Sequence, residues 1–346
     1  MDYTMSETLS SMTVEMNIVR KLCKINEYKG EQILYNKQPK ALLSNITDSA
    51  ISSFVFDSYS DVFSNNEDKL MNLINNKEAP KSRGDIGVVE FRDVIKTVNS
   101  AYDDIRLCSQ TILELHGYLH RYSLVRGGRY RNEEYSGLNN IDDIEHNIMN
   151  QSNMEQIIER DIEVLCNNYY ELIEDDKIEP LIVIASFIID FLRIWPFQED
   201  NVKMAKILTL LLLNNNNYEV GRFTSLGRIY EDDRIMYFRS IFNKSVDLDT
   251  GCYNLNKWLD YFLDFILLSY EGLSEKLNLN NDKRETKTKR IEKIVNSTLG
   301  YFTKDDIRAQ CPDIPEPTIN RVFNNLRKNG KIEVIAKGRS AKWKKI

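Results

Sequence analysis

The sequence predicts a mainly α-helical chain of more than one domain, and three observations carry that expectation. Only 14 Gly and 7 Pro occur in 346 residues, too few obligatory turns for a many-stranded sandwich. Long stretches place apolar side chains at intervals of three and four, the period of a helix with one buried face. The length exceeds what one small core organises, and 42% hydrophobic residues is ordinary for a globular protein, so two or three domains follow.

Taken in order, residues 11 to about 85 alternate helical patches with polar joins such as SNNEDK and NNKEAPKSRG. VVEFRDVIKTVNSAYDDI (88–105) and TILELHGYLHRYSLV (111–125) are helical in pattern. RGGRYRNEEYSGL (126–138) breaks that pattern with Gly127 and Gly128, which predicts a short turn or β-hairpin flap. A helix at about 153–174 leads into the two most apolar stretches, 180–195 and 203–214, separated by PFQEDN. Pro196 has no amide to continue a helix, and Asn201 is a good cap for the next one, so the loop sits at a helix N-terminus. NKWLDYFLDFILLSYEGL (256–273) is a further apolar-periodic helix.

From 275 to 288 the periodicity fades and charge rises, as in an interdomain linker. Beyond it lie a helix at 289–299, DDIRAQC capped by Thr303, a helix in TINRVFNNLRKNG ended by Asn329 and Gly330, and a two-stranded ribbon around Gly338. That order predicts a C-terminal winged helix-turn-helix. The expected units are an N-terminal helical region at 1–85, a core at 86–274, a linker at 275–288 and the winged helix at 289–346.

Residues 281–346 hold 17 Lys/Arg against 8 Asp/Glu, whereas the whole chain carries a net charge of −6, so a basic tail follows an acidic body. Such a tail meets something anionic, or docks on the body itself. In the tail, Thr318, Asn320, Arg321, Asn324, Asn325 and Arg327, with Lys337, Arg339, Lys342 and Lys344 on the wing, are the candidate DNA contacts. A protein–protein role for the same module stays open.

Five cysteines, Cys23, Cys108, Cys166, Cys252 and Cys311, form no CxxC pair and no metal-ligand spacing, which predicts a reducing, cytoplasmic setting. No secretory signal is read at the N-terminus, and 181–195 carries Asp190 and Arg193, so a buried helix and no membrane partner are expected. His116 and His120 lie four apart on one helix face; packed histidines are expected there rather than a metal site, because no third ligand is evident.

The loop WPFQEDNVKMAK (195–206) carries a resemblance. It resembles the Fic family's signature, in which a helix ends in His-Pro-Phe, any residue, an acid, Gly-Asn-Gly-Arg, two residues and a second Arg. Pro196, Phe197, Glu199 and Asn201 match, Lys203 and Lys206 stand where the arginines would be, and Trp195, Asp200 and Val202 do not match. The flanks agree in order, from EFRDVI and ILELHGYLH to EDDRIMYFRSIF (231–242) and GRSAKW, so the resemblance spans about 15–346.

The resemblance implies a Fic (Fido) helical core and transfer of AMP from ATP to a target protein's hydroxyl. The histidine would be the base, Glu199 would hold Mg²⁺, and Phe197, Asn201, Lys203 and Lys206 would line the nucleotide. Arg129, Tyr130, Arg131 and Tyr135 would form the target-docking flap by strand addition. The implied partners are ATP with Mg²⁺, a target protein, DNA at the tail and a second copy of the chain, since both modules commonly dimerise.

The residues themselves argue against that chemistry. The indole nitrogen of Trp195 is a donor only and cannot serve as base. Asp200 sets a carboxylate where polyphosphate would approach, a repulsion of roughly 1–4 kcal/mol at effective dielectrics of 80 to 20. Val202 adds a branched side chain where backbone would approach the ligand, and the lysines lose the two-pronged geometry of Arg. Asp200 as a substitute base, or as a second Mg²⁺ ligand beside Glu199, is a further reading. The place of the family's inhibitory helix falls at SAISSFVFDSYSDVF (49–63), where no Glu is followed by Gly or Asn. Three classes therefore remain: a divergent enzyme, a pseudoenzyme regulator with a DNA-binding tail, and an interaction scaffold.

Overall fold

The computed structural model describes residues 5–122, 127–132, 154–175, 177–229, 255–281, 287–298, 300–336 and 341–345. Among the described residues of the body the regular elements are helices: α1 (Met5–Ser11), α2 (Met16–Glu31), a 3-10 segment (Gln32–Lys37), α3 (Lys40–Tyr59), α4 (Glu67–Ile74), α5 (Arg83–Ala101), α6 (Ser109–Leu119), α7 (Met154–Glu174), α8 (Pro180–Ile194), α9 (Asn201–Asn215), α10 (Val220–Phe223) and α11 (Asn256–Asn281). The tail adds α12 (Lys287–Ser297), β1 (Tyr301–Phe302), α13 (Lys304–Gln310), α14 (Glu316–Lys328), β2 (Ile332–Ala336) and β3 (Lys342–Lys345). The described residues are thus mainly α with one small antiparallel sheet. Residues 231–242, part of the flank that carries the resemblance, and Gly338, about which the ribbon is expected to turn, lie outside the described residues.

Local chemistry sets several of the helix ends. Ser82 and Asp85 form a reciprocal capping box at the start of α5, and Thr303 with Asp306 forms another at α13. Burial alone would raise the Asp85 carboxyl, but bonds from Lys69, Ser82 and the Lys81 amide hold it down to about 2. At the far end of α4 the buried Arg92 donates to the carbonyls of Leu73 and Ile74 at 2.9 and 3.4 Å, taking up orphan acceptors of the last turn.

One apolar core joins α1 through α11, with α8 and α9 at its centre. Thirteen of the fifteen residues of α8 are buried, which is why its sequence reads as a nearly continuous apolar run rather than a stripe. Trp258 of α11 donates from its indole to the Ala185 carbonyl at 2.8 Å and pins α11 on α8. The boundary expected at 85 has no counterpart in the packing. Phe54 and Tyr59 of α3 meet Phe91 of α5 at ring distances of 5.9 Å, so the first helices are built into the body. The stretch read as a linker is also shorter than expected: α11 runs to Asn281, because Leu277 still reaches the core while its charged neighbours face outward.

The tail has its own core, in which Trp343 packs edge-on to Phe323 at 5.2 Å. Its sheet has the order β1-β3-β2, with Phe302 opposite Trp343 and Val334 opposite Trp343 on the other side. Beyond the expected ribbon, β1 is a third strand of two residues, too short to show a period in sequence. Among the described residues no helix is long and apolar enough to cross a membrane.

Candidate functional site

The loop between α8 and α9 is bracketed by two left-handed residues, Trp195 at φ 50° and Asp200 at φ 63°. Non-glycine residues pay roughly 1–2 kcal/mol for that conformation, and a bulky one such as Trp is the rarer case. Arg131 holds the first bracket, with Nε donating to the Trp195 carbonyl at 2.8 Å and the guanidinium reaching the Ile194 carbonyl at 3.4 Å. Asn201 closes the loop from within. Its amide donates to the Phe197 carbonyl at 2.7 Å and its oxygen accepts the Phe197 amide at 2.9 Å. The sequence cast Asn201 as the helix cap; instead Asp200 stands at the cap position and Asn201 is the first helical residue, turned back and buried.

Phe197 is fully buried at the centre of an aromatic stack. His116 lies parallel to it with ring centres 3.7 Å apart, Tyr130 follows at 5.7 Å, and Phe191 tilts against it at 6.4 Å. The Gly128 amide donates to Nδ1 of His116 at 3.1 Å. Gly127 is obligatory here. A Cβ on it would sit 2.8 Å from both the His116 carbonyl and the His120 Cβ, closer than real contacts allow.

The expected docking flap is thereby corrected in part. Tyr130 is buried and bonded to Ser109 at 2.8 Å, and the Arg131 amide donates to the Pro196 carbonyl at 2.9 Å. Both are spent on holding the loop. Arg129 is exposed, and Tyr135 lies outside the described residues.

The charged groups of the loop face one another. Asp200 meets Lys203 at 2.8 Å and Nε2 of His120 at 3.3 Å, while Glu199 pairs with Arg83 at 2.7 Å. Burial would lower the Lys203 ammonium, but neighbouring Tyr59 and Asp200 outweigh it and hold it above its ordinary value. Burial lowers the His120 imidazole despite Asp200. Lys206 is buried and donates to the Ser58 hydroxyl at 3.3 Å. Ser58 and Tyr59 close α3, so the segment 49–63 does pack on the loop, presenting a hydroxyl and a phenol ring to the two lysines.

Of the residues assigned to nucleotide, Phe197, Asn201 and Lys206 are therefore buried in the body, and only Glu199 and Lys203 keep partial access. Three partners of the loop escaped the sequence reading: Arg83, His120 and Tyr59. The i, i+4 spacing placed His116 and His120 on one face but not beneath this loop, and nothing local marks Arg83. Among the described residues no group of three or more His, Cys, Asp or Glu is placed to hold a metal ion.

His116 is 3% exposed, and burial pushes its imidazole down to about 4. Its contribution to stability is complete above its unfolded pKa near 6.5 and is lost as pH falls toward the folded value. Urea unfolding at pH 7 and pH 4 should therefore show about 3 kcal/mol lost through this group. In His116→Gln the acid loss should shrink by that amount; an equal loss in both proteins would contradict a buried neutral imidazole.

The second candidate surface is on the tail. Ile319, Val322, Phe323 and Leu326 of α14 face inward, leaving Arg321, Asn324, Asn325 and Arg327 exposed on the outside with Lys342 and Lys344 on β3. Thr318 is half-buried. Asn320 is turned inward, its oxygen accepting from Lys304 at 2.6 Å, so it is removed from the outward set. Lys337 and Arg339 lie outside the described residues. The tail leans on the body through its other elements, as in the Tyr301 hydroxyl bond to Asp68 at 3.2 Å, and the outer face of α14 stays uncovered.

No family model matches the chain, and no curated protein does. Among solved structures it is similar to a Fic family protein from Desulfovibrio desulfuricans, 15% identical, with 97% of each chain covered and a TM-score of 0.48. It is also similar to a Fic domain containing signaling protein from Bacteroides thetaiotaomicron, 14% identical, with 76% of this chain and 95% of that one covered and a TM-score of 0.49.

Proposed function

We propose that this chain is a Fic-type pseudoenzyme that acts as a DNA-binding regulator through a winged-helix tail. One observation carries the loss of chemistry: the loop's acids and cations neutralise one another. Glu199 with Arg83, and Asp200 with Lys203, occupy the charges that a Mg²⁺–polyphosphate would need. A small divalent cation demands several free oxygens in near-octahedral array, and a phosphate chain demands uncommitted donors. This donor set does not fit that cofactor. The aromatic stack on Phe197 and the buried Lys206 point the same way, as does an indole where a base is required.

The tail supports the DNA reading by its helix, strand, helix, helix and ribbon order, its surplus of cations and the uncovered outer face of α14. Arg321, Arg327, Lys342 and Lys344 would meet phosphates, and Asn324 and Asn325 stand where base edges would be reached. Retention of the full chain on duplex DNA at 50 mM salt is the expected result. Neutralising about four phosphates should cost on the order of 10²-fold in affinity between 50 and 200 mM salt. Arg321→Ala with Arg327→Ala should flatten that dependence. No retention at 50 mM salt would end this reading.

A further inference from the structure

A cleft of about 270 Å³ opens on the body between α3, the 3-10 segment and α10. Tyr35 and Phe223 pack edge-on at a ring distance of 5.5 Å and, with Leu43, form its apolar lining. Ser44, Thr47 and Asp48 border it from α3, where spacings of three and four residues set them on one face of the helix. Asp48 lies ten residues before Ser58, roughly 15 Å along α3 from the end that meets the α8–α9 loop.

The lining carries three charged side chains, and two of them cancel. Glu219 and Arg222 hold each other at 2.9 Å, and Arg222 also donates to the Tyr102 hydroxyl at 3.4 Å. Asp48 is exposed, and among the described residues its carboxylate makes no hydrogen bond or ion pair. The hydroxyls of Ser44 and Thr47 are likewise without a partner among the described residues. The cleft therefore keeps one negative charge and three uncommitted acceptor groups on a single helix face. The field beneath its lining has the same sign: after burial itself, the Glu31 and Glu219 carboxylates hold the Tyr35 phenol above its ordinary value.

We propose that this cleft binds a small primary amine, its ammonium group toward Ser44, Thr47 and Asp48 and its apolar part against Tyr35, Leu43 and Phe223. A primary ammonium brings one positive charge and three N–H donors, matching one carboxylate and two hydroxyls. The volume suits a molecule smaller than those of drug-sized sites, which begin at about 300 Å³. The cleft is built from the body alone, so its occupancy is independent of whether the tail binds DNA.

Thermal unfolding of the full chain with 2-phenylethylamine tests the proposal, beside its N,N,N-trimethyl derivative and the anion 3-phenylpropionate. At about ten times its dissociation constant the amine should raise Tm saturably by about 2 °C. The trimethyl derivative, which keeps the charge without an N–H, should bind at least about tenfold more weakly, and the anion should give no shift. Asp48→Asn, at an exposed position where folding is not at risk, should weaken the amine at least about tenfold, a difference of about 1.4 kcal/mol. Ser44→Trp, which covers the cleft from an exposed helix position, should abolish the shift. No shift with the amine, an equal shift with either comparison compound, or a shift undiminished in both variants overturns the site.

Discussion

Incubated with α-labelled ATP and Mg²⁺, the protein is expected to label neither itself nor lysate proteins above background. Loss of a general base alone costs about 10²–10⁴-fold, and removing preorganised anion stabilisation costs a further ~10²–10³-fold. Trp195 is buried and offers only a donor, while Asp200 places its carboxylate, already bridging Lys203 and His120, at the α9 N-terminus. The informative comparison carries Trp195→His, Asp200→Gly, Val202→Gly and Lys203→Arg together. Label appearing only in that variant supports both the family resemblance and the loss of chemistry. Efficient labelling by the unaltered chain refutes the pseudoenzyme reading, and then His120, held against Asp200, becomes the residue to substitute next.

Phe197→Ala is expected to destabilise the body by about 3–5 kcal/mol, the range for truncating a fully buried aromatic. The ring fills the space between His116, Tyr130 and Phe191, and neither His116 nor Tyr130 can collapse into the gap without breaking a bond that positions it. Tyr130 is tied to Ser109 and His116 to the Gly128 amide. Urea unfolding should show a lower midpoint at unchanged slope. Val62→Ala, at a side chain 74% exposed, should leave the midpoint in place. A cost below about 1 kcal/mol for Phe197→Ala would mean that the stack does not hold the loop.

The helices were legible because burial writes itself into spacing. The break at Pro196 and the caps at Thr303 and Asn329 were legible because they are backbone chemistry confined to a few residues. What escaped the sequence depends on contacts between distant segments. The Glu199–Arg83 pair joins positions 116 apart, and no local pattern names the partner. His120 shows its helical register but not what lies under its ring. Asn201 is a good cap by composition, yet the loop bends it inward because Phe197 needs both a donor and an acceptor for its buried peptide groups. Fading periodicity and rising charge suggested a linker over 275–288, whereas the buried Leu277 carries α11 on to Asn281.

The left-handed backbone at Asp200 bears on which residues this position accepts. A conformation that glycine adopts freely is occupied by aspartate, which tolerates it better than most residues, so Asp200→Gly relieves strain of roughly 1–2 kcal/mol. The same change removes the partner of Lys203 and His120, a loss of opposite sign. With the two terms offsetting, a chain carrying glycine at this position remains foldable. Whether a glycine-bearing loop seats phosphate is therefore set by chemistry at the site rather than blocked by the stability of the scaffold.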